Sequence, residues 1–194
     1  SALTLVENIM VTSAKNFGIW LDSASPVIKN NIFQDNFAGI RVFGSSRPNI
    51  HHNLFLNNTH GAIVHNGDVG EYLIDHNTFV DNGNIGGKAA VLLDAGFTAS
   101  QIRITNNILS GGVLGIHETV PSNSVINNNL FYGQSENYVR KMTTNYNSVS
   151  ALNELTFADN NTAGDPQLDA GFKPRPGSPA IDAADDRKSN IGAY

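Results

Sequence analysis

The chain has 194 residues, a formal net charge of −5, 15% charged residues and no cysteine. That length is enough for one domain whose core needs no covalent staples, and without cysteine neither disulfides nor thiolate metal sites are open to it. The acidic balance, with no basic block, argues against a nucleic-acid footprint, and no apolar run approaches the roughly 20 residues of a membrane-spanning helix.

An asparagine recurs at Asn8, Asn31, Asn53, Asn77, Asn107 and Asn129, at intervals of 23, 22, 24, 30 and 22 residues. Leu or Ile stands three places before each, and Met, Phe or Leu two places after. A fixed period of this size predicts a solenoid, in which each unit buries its apolar face against its neighbours. In chain order, Leu3 to Met10 supply an incomplete first rung. The second holds Gly18-Ile19-Trp20-Leu21, a turn to Pro26, then Val27-Ile28-Lys29 and Ile32-Phe33. The third repeats this with Gly39-Ile40-Arg41-Val42, a turn over 44–48, Ile50-His51-His52 and Leu54-Phe55. Rungs four to six follow from Gly61, Ala90 and Gly115. Each rung offers three short β-prone runs bounded by Gly, Pro, Asn and Ser, too short for helices.

The expected architecture is all-β: a right-handed, single-stranded parallel β-helix of about six rungs. Equivalent residues of neighbouring rungs then lie roughly 4.8 Å apart. Ile28, Ile50, Ile74, Ile104 and Ile126 should form one buried stack, and Phe33, Phe55, Phe79, Leu109 and Phe131 another. The asparagines should fill the corner between the second and third strands as a hydrogen-bonded ladder. Asn36, Asn58 and Asn82 mark a further corner. Extra chain between the fourth and fifth rungs, over 83–88 and 95–100, predicts loops on a binding face. The rungs are assigned to 1–133, and 134–194 to an irregular insertion and a C-terminal closing segment of the same domain.

These repeats resemble the right-handed parallel β-helix superfamily, the pectate-lyase-like solenoids. The ending, with Asp165-Pro166-Gln167-Leu168, then P-G-S-P-A-I-D over 176–182 and I-G-A-Y over 191–194, resembles the tail of bacterial secreted β-helix proteins. The resemblance implies a secreted, extracellular, polysaccharide-directed protein, with a lyase acting on acidic glycans as one form. The alternative is a non-catalytic carbohydrate-binding or structural module of adhesin type, or a fragment of a larger protein. The paired aspartates and G-H-G segment of β-helix polygalacturonases are absent from the repeats, as is the D-P-H-E motif of alginate epimerases.

In enzymes of that superfamily the substrate groove lies along the sheet corresponding to the Gly-Ile-x-Leu strands. Alternation places Trp20, Arg41, Ile63, Leu92 and His117 outward on it, with Asp22, Phe43, His65, Asp94 and Thr119 at the strand ends. β-Elimination on a uronate polymer needs a cation on the carboxylate, a base for the C5 proton and a donor for the leaving oxygen. Arg41, His65, Lys88, Asp94 and His117 are the candidate catalytic set. Trp20, Asp22 and Phe43 are the candidate substrate contacts, although a solvated charged face would carry the same residues.

Lys29, His51 and Asp75 share one column and His52 and His76 the next, a polar face with no closed ligand set, so no metal site is assigned. Glu118 falls where the column Leu21, Val42, Val64, Leu93 points inward. The expectation is that the last rung frays and Glu118 turns to solvent, because a buried carboxylate is costly. No cofactor is expected; calcium at Asp182, Asp185 and Asp186 is the one candidate, against the ordinary reading of an exposed loop. The chain starts at Ser1 with no signal peptide and no cap before Leu3-Thr4-Leu5-Val6. An uncapped first rung predicts missing upstream rungs or edge-to-edge self-association.

Overall fold

The computed structural model describes residues 4–67, 71–85, 88–94, 102–120, 124–184 and 190–193. Leu3, residues 86–87 and 95–100 of the two expected loops, Asp185, Asp186 and Tyr194 lie outside the described residues. The chain winds as a parallel β-solenoid with three sheets of seven strands each. The first sheet comprises Phe17–Asp22, Ala38–Phe43, Gly61–Asn66, Ala89–Leu93, Leu114–Glu118 and Asn137–Lys141, all parallel, and an antiparallel Thr144–Tyr146. The second sheet runs from Leu5–Glu7 and Val27–Lys29 through Asn49–His51, Tyr72–Asp75, Ile102–Thr105 and Val125–Asn127 to Ala158–Asp159. The third stacks Met10–Thr12, Ile32–Gln34, Leu54–Leu56, Thr78–Val80, Ile108–Ser110, Leu130–Tyr132 and Thr162–Ala163.

The register confirms both expected stacks. Ile28, Ile50, Ile74, Ile104 and Ile126 pair in series and are fully buried. Phe33, Phe55 and Phe79 stack with ring centroids 5.0 Å apart, and Leu109 and Phe131 continue the column. An inward glycine on the first sheet leaves room for these rings. A Cβ at Gly39 would lie 2.6 Å from the Ala62 carbonyl and 3.0 Å from the Phe55 ring.

The asparagine ladder is continuous. The side-chain amides of Asn31, Asn53, Asn77, Asn107 and Asn129 each donate to the carbonyl oxygen of the next ladder Asn at 3.0–3.1 Å. Each also donates to a backbone carbonyl one rung back, such as Ile28 for Asn53 and Ile50 for Asn77. The residue before each ladder Asn has positive φ (Asn30, His52, His76, Asn106, Asn128 and Asn160), the left-handed corner that Asn tolerates. The second corner behaves alike, with Asn36 donating to Asn58 at 2.9 Å and Asn58 to Asn82 at 2.8 Å.

Both ends of the ladder differ from the sequence expectation. Glu7 pairs with Lys29, so Asn8 stands in the positive-φ column and Ile9 takes the ladder position, its N–H donating to Asn31 at 3.1 Å. At the other end the ladder extends to Asn161, because the stretch read as irregular completes a further rung through Ala158–Asp159 and Thr162–Ala163. A helix, α1 (Val149–Asn153), closes it. Ser148 caps its N-terminus, Leu152 is buried in the core, and Asn153 accepts from both the backbone and the side-chain amide of Asn161 at 3.0 Å. The ladder's last amide thus ends on another asparagine rather than on solvent.

Residues 168–184 and 190–193 fold back over the third sheet. Ala180, Ala184 and Ile191 bury Ile108 and Leu130. The Gly192 N–H donates to the Asn106 carbonyl at 2.8 Å and the Ala193 N–H to Thr78 Oγ1 at 3.1 Å. Gly192 has φ +102, and a Cβ there would lie 2.8 Å from both Ile108 Cδ1 and Thr78 Oγ1. Only glycine lets the backbone approach this closely.

Candidate functional site

The outward column of the first sheet is Trp20, Arg41, Val64, Leu92, His117 and Arg140. Val64 replaces the expected Ile63 because Gly61 pairs with Ala38 rather than Gly39. Between Asn58 and Gly61 the corner holds Thr59 and His60, whereas only Phe37 separates Asn36 from Ala38. A one-residue slip exchanges the two faces of a strand, and it moves His65 inside.

His65 therefore lies in the inward column Leu21, Val42, His65, Leu93, Glu118, Lys141, and is fully buried. Its Nδ1 is 3.0 Å from the Tyr72 hydroxyl and its Nε2 3.2 Å from the Gly67 carbonyl, with the two rings stacked at 5.6 Å. Burial lowers its pKa to about 4, against the opposing bond to Gly67; burial likewise raises the Tyr72 phenol. Glu118 does not turn to solvent either. It is fully buried, accepts from Lys141 Nζ at 2.6 Å and from the Ser124 hydroxyl, and Lys141 Nζ sits 4.3 Å from the Phe157 ring centroid. The Lys141 ammonium, on the neighbouring strand directly beside Glu118, is what offsets the expected cost of a buried charge.

The open end of the outward face gathers most of the candidate substrate contacts. The Arg41 guanidinium carbon lies 4.9 Å from the Phe17 ring centroid, 5.2 Å from Trp20 and 5.4 Å from Phe43. Phe17 meets Trp20 edge-on at 6.0 Å and Phe37 at 6.4 Å. Trp20 is 59% exposed, while Phe37 and Phe43 are about one-third open to solvent. Arg41 Nε is buried and has no hydrogen-bond partner among the described residues, an unmet donor of the kind an added oxygen satisfies. Asp22 lies beside Phe43 in the next rung, exposed, accepting from the Ser23 hydroxyl at 3.2 Å. Further along, Val64 and Leu92 are buried with Ala38 and Phe17.

The other candidates stand apart from this cluster. Asp94 accepts from Thr119 Oγ1 at 2.8 Å at the far strand ends. His117 lies between Leu92 and Arg140, and Arg140 is itself held by Glu136 and Asn145 at 2.8 Å. His60, which sequence reading did not single out, packs on Phe37 with ring centroids 4.7 Å apart. Burial lowers its pKa, Lys88 lowers it further, and Asp94 opposes them. The doubled corner residue was the available signal for it.

On the second sheet the polar columns fall as expected. His51 Nδ1 and His52 Nδ1 are 2.9 Å apart, His52 and His76 stack at 5.1 Å, and His76 Nδ1 meets Asp75 Oδ2 at 2.6 Å. Burial, above all, lowers His51 and His52. Burial pushes the Asp75 carboxyl up, but hydrogen bonds from His76, Thr105 and Asn106 outweigh it and hold it below its ordinary value. Among the described residues no group of three His, Asp or Glu is placed to hold a metal ion.

A family model, the right handed beta helix region, matches residues 1–79. No curated protein and no solved structure matches the chain.

Proposed function

We propose that this chain acts outside the cell and binds an acidic polysaccharide on the open, aromatic end of its first sheet. The observation that supports this is the Arg41 guanidinium set among Phe17, Trp20 and Phe43. Exposed ring faces suit the C–H faces of a sugar, and a guanidinium held by rings presents a fixed positive charge to a uronate carboxylate. Arginine suits that role better than lysine, because its planar donor fork matches a carboxylate. Binding without cleavage fits the geometry best. β-Elimination needs a base and a leaving-group donor close to the cation, whereas Asp94 and His117 stand in other rungs and His65 lies beneath the sheet.

A lyase-type reaction is the second reading, favoured by one observation. His60, on the Phe37 edge of the cluster, has a lowered pKa and so is neutral at pH 7, with a ring nitrogen able to accept a proton. Lys88 and Asp94 complete the charged groups acting on it.

Trp20 is the only tryptophan, so its fluorescence reports directly on the face. Titration with polygalacturonate and alginate should shift the emission, a neutral glucan should not, and Arg41→Ala should abolish the response. An emission unmoved by every acidic glycan would sink the binding reading. Release of ultraviolet-absorbing unsaturated products, lost in His60→Ala, would establish the lyase reading over simple binding.

A further inference from the structure

We infer that the second sheet carries a separate saccharide site, a cleft of about 360 Å³ lined by Arg47, Asn49, Glu71, Tyr72, Leu73 and Arg103, which takes a single acidic sugar unit. Its floor is built by register: Asn49, Leu73 and Arg103 occupy one outward column in three successive rungs. Arg103 and Asn49 thus stand two rungs apart, roughly 9–10 Å, with the half-buried Leu73 between them. Arg47 enters from the turn before Asn49, where its backbone N–H is held by Ser25 Oγ at 3.1 Å. Ser46 fixes the same turn, donating to the Phe43 carbonyl at 2.6 Å and accepting from the Ala24 N–H at 3.1 Å.

Three features point to a sugar carrying a carboxylate. Arg47, Glu71 and Arg103 are exposed, and among the described residues none of them is in an ion pair. Three charged side chains around one cleft with their hydrogen-bonding capacity unspent are a recognition set rather than a structural network. Asn49 Oδ1 is buried and has no hydrogen-bond donor among the described residues, a deficit that a ligand hydroxyl would make good. The apolar Leu73 floor accepts a sugar's C–H face. The two guanidinium groups take its carboxylate, and Glu71 with Asn49 Oδ1 accepts from its hydroxyls. On a chain of net charge −5, two arginines facing one cleft favour an anion locally against the overall field.

The site stands on this cleft alone and not on the aromatic face, and the test separates the two. Trigalacturonate and its neutral counterpart, a galactose trisaccharide, are titrated calorimetrically into native protein, Trp20→Ala, and Trp20→Ala carrying Arg47→Ala and Arg103→Ala. The expected result is that Trp20→Ala retains trigalacturonate binding, that adding the two arginine changes weakens it at least tenfold, and that the neutral sugar binds at least tenfold more weakly than the acidic one. Glu71→Gln, which keeps an acceptor and removes the charge, should strengthen trigalacturonate binding severalfold. Loss of all binding in Trp20→Ala would overturn the cleft while leaving the aromatic face intact. Binding unchanged by the arginine substitutions would overturn it as well, and equal affinity for the neutral sugar would overturn its preference for acid. All four changes are at exposed positions, and circular dichroism of each variant confirms that it folds.

Discussion

Two columns run the length of this molecule. In one, Asn31, Asn53, Asn77, Asn107, Asn129 and Asn161 repeat the same residue in every rung after the first, where Ile9 stands. In the other, Trp20, Arg41, Val64, Leu92, His117 and Arg140 share a register and no chemistry. The corner is buried, and each rung there leaves the same backbone groups to be satisfied, so only an amide of that length serves. The outward face carries no such demand, and its residues are free to differ. Uniformity along a solenoid therefore marks structural necessity, and variation along it marks the places where function can be written.

Breaking the uniform column should have the largest effect. Asn77→Leu removes a donor from the Ile50 and Asp75 carbonyls and an acceptor from the Asn53 backbone and side-chain amides, and should cost about 3–6 kcal/mol. Urea unfolding measures it, and a loss below about 1 kcal/mol would mean that water replaces the ladder.

Next comes the histidine that slipped from the varied face into the core. Its pKa is about 4 in the fold against 6.5 in the open chain, so the unfolded state takes up the proton first. Stability is full above about pH 6.5, falls as the pH drops towards 4, and then levels off, a loss of about 3 kcal/mol from this group. His51, His52 and His60 add to it in the same direction. Urea midpoints at pH 7.5 and 4.5 should differ less in His65→Phe than in the native chain; an unchanged difference would move the acid sensitivity elsewhere.

Gly192→Ala should destabilise by about 1–3 kcal/mol through overpacking against Ile108 and Thr78. Limited proteolysis should then release the tail from the third sheet before the rungs unfold. Smallest of all in stability is Trp20→Ala, at a 59% exposed position, with an expected change within about 0.5 kcal/mol and loss of glycan response on the first sheet. A Trp20 variant that unfolds the protein would erase the contrast between the two columns.

The repeat was legible because its cause is local. A left-handed corner, an amide to fill it and an apolar residue on either side all fall within one short stretch such as Ile28 to Phe33, and counting places Ile28, Ile50, Ile74 and the phenylalanine stack without coordinates. The count failed where a corner changed length. One extra residue at Thr59-His60 reversed the outward and inward assignments of Ile63, Val64 and His65. Asn8 was one place out of register, and Asn161 escaped notice because 32 residues separate it from Asn129 and Ala163 stands where an aromatic was expected.

Read alone, the sequence determined the solenoid, its period, its buried stacks and the amide corners, since these follow from residue type at fixed spacing. Only the tertiary structure decided that Arg41 sits among three aromatic rings, that Glu118 is neutralised by Lys141 from the next rung, and that Asn153 of α1 ends the ladder. Apart from Arg41 and Phe43, which share a strand, each of those contacts joins residues from different rungs, or from the ladder and its closing helix. No pattern along the chain specifies them, because the partner arrives only when the corners have set the register.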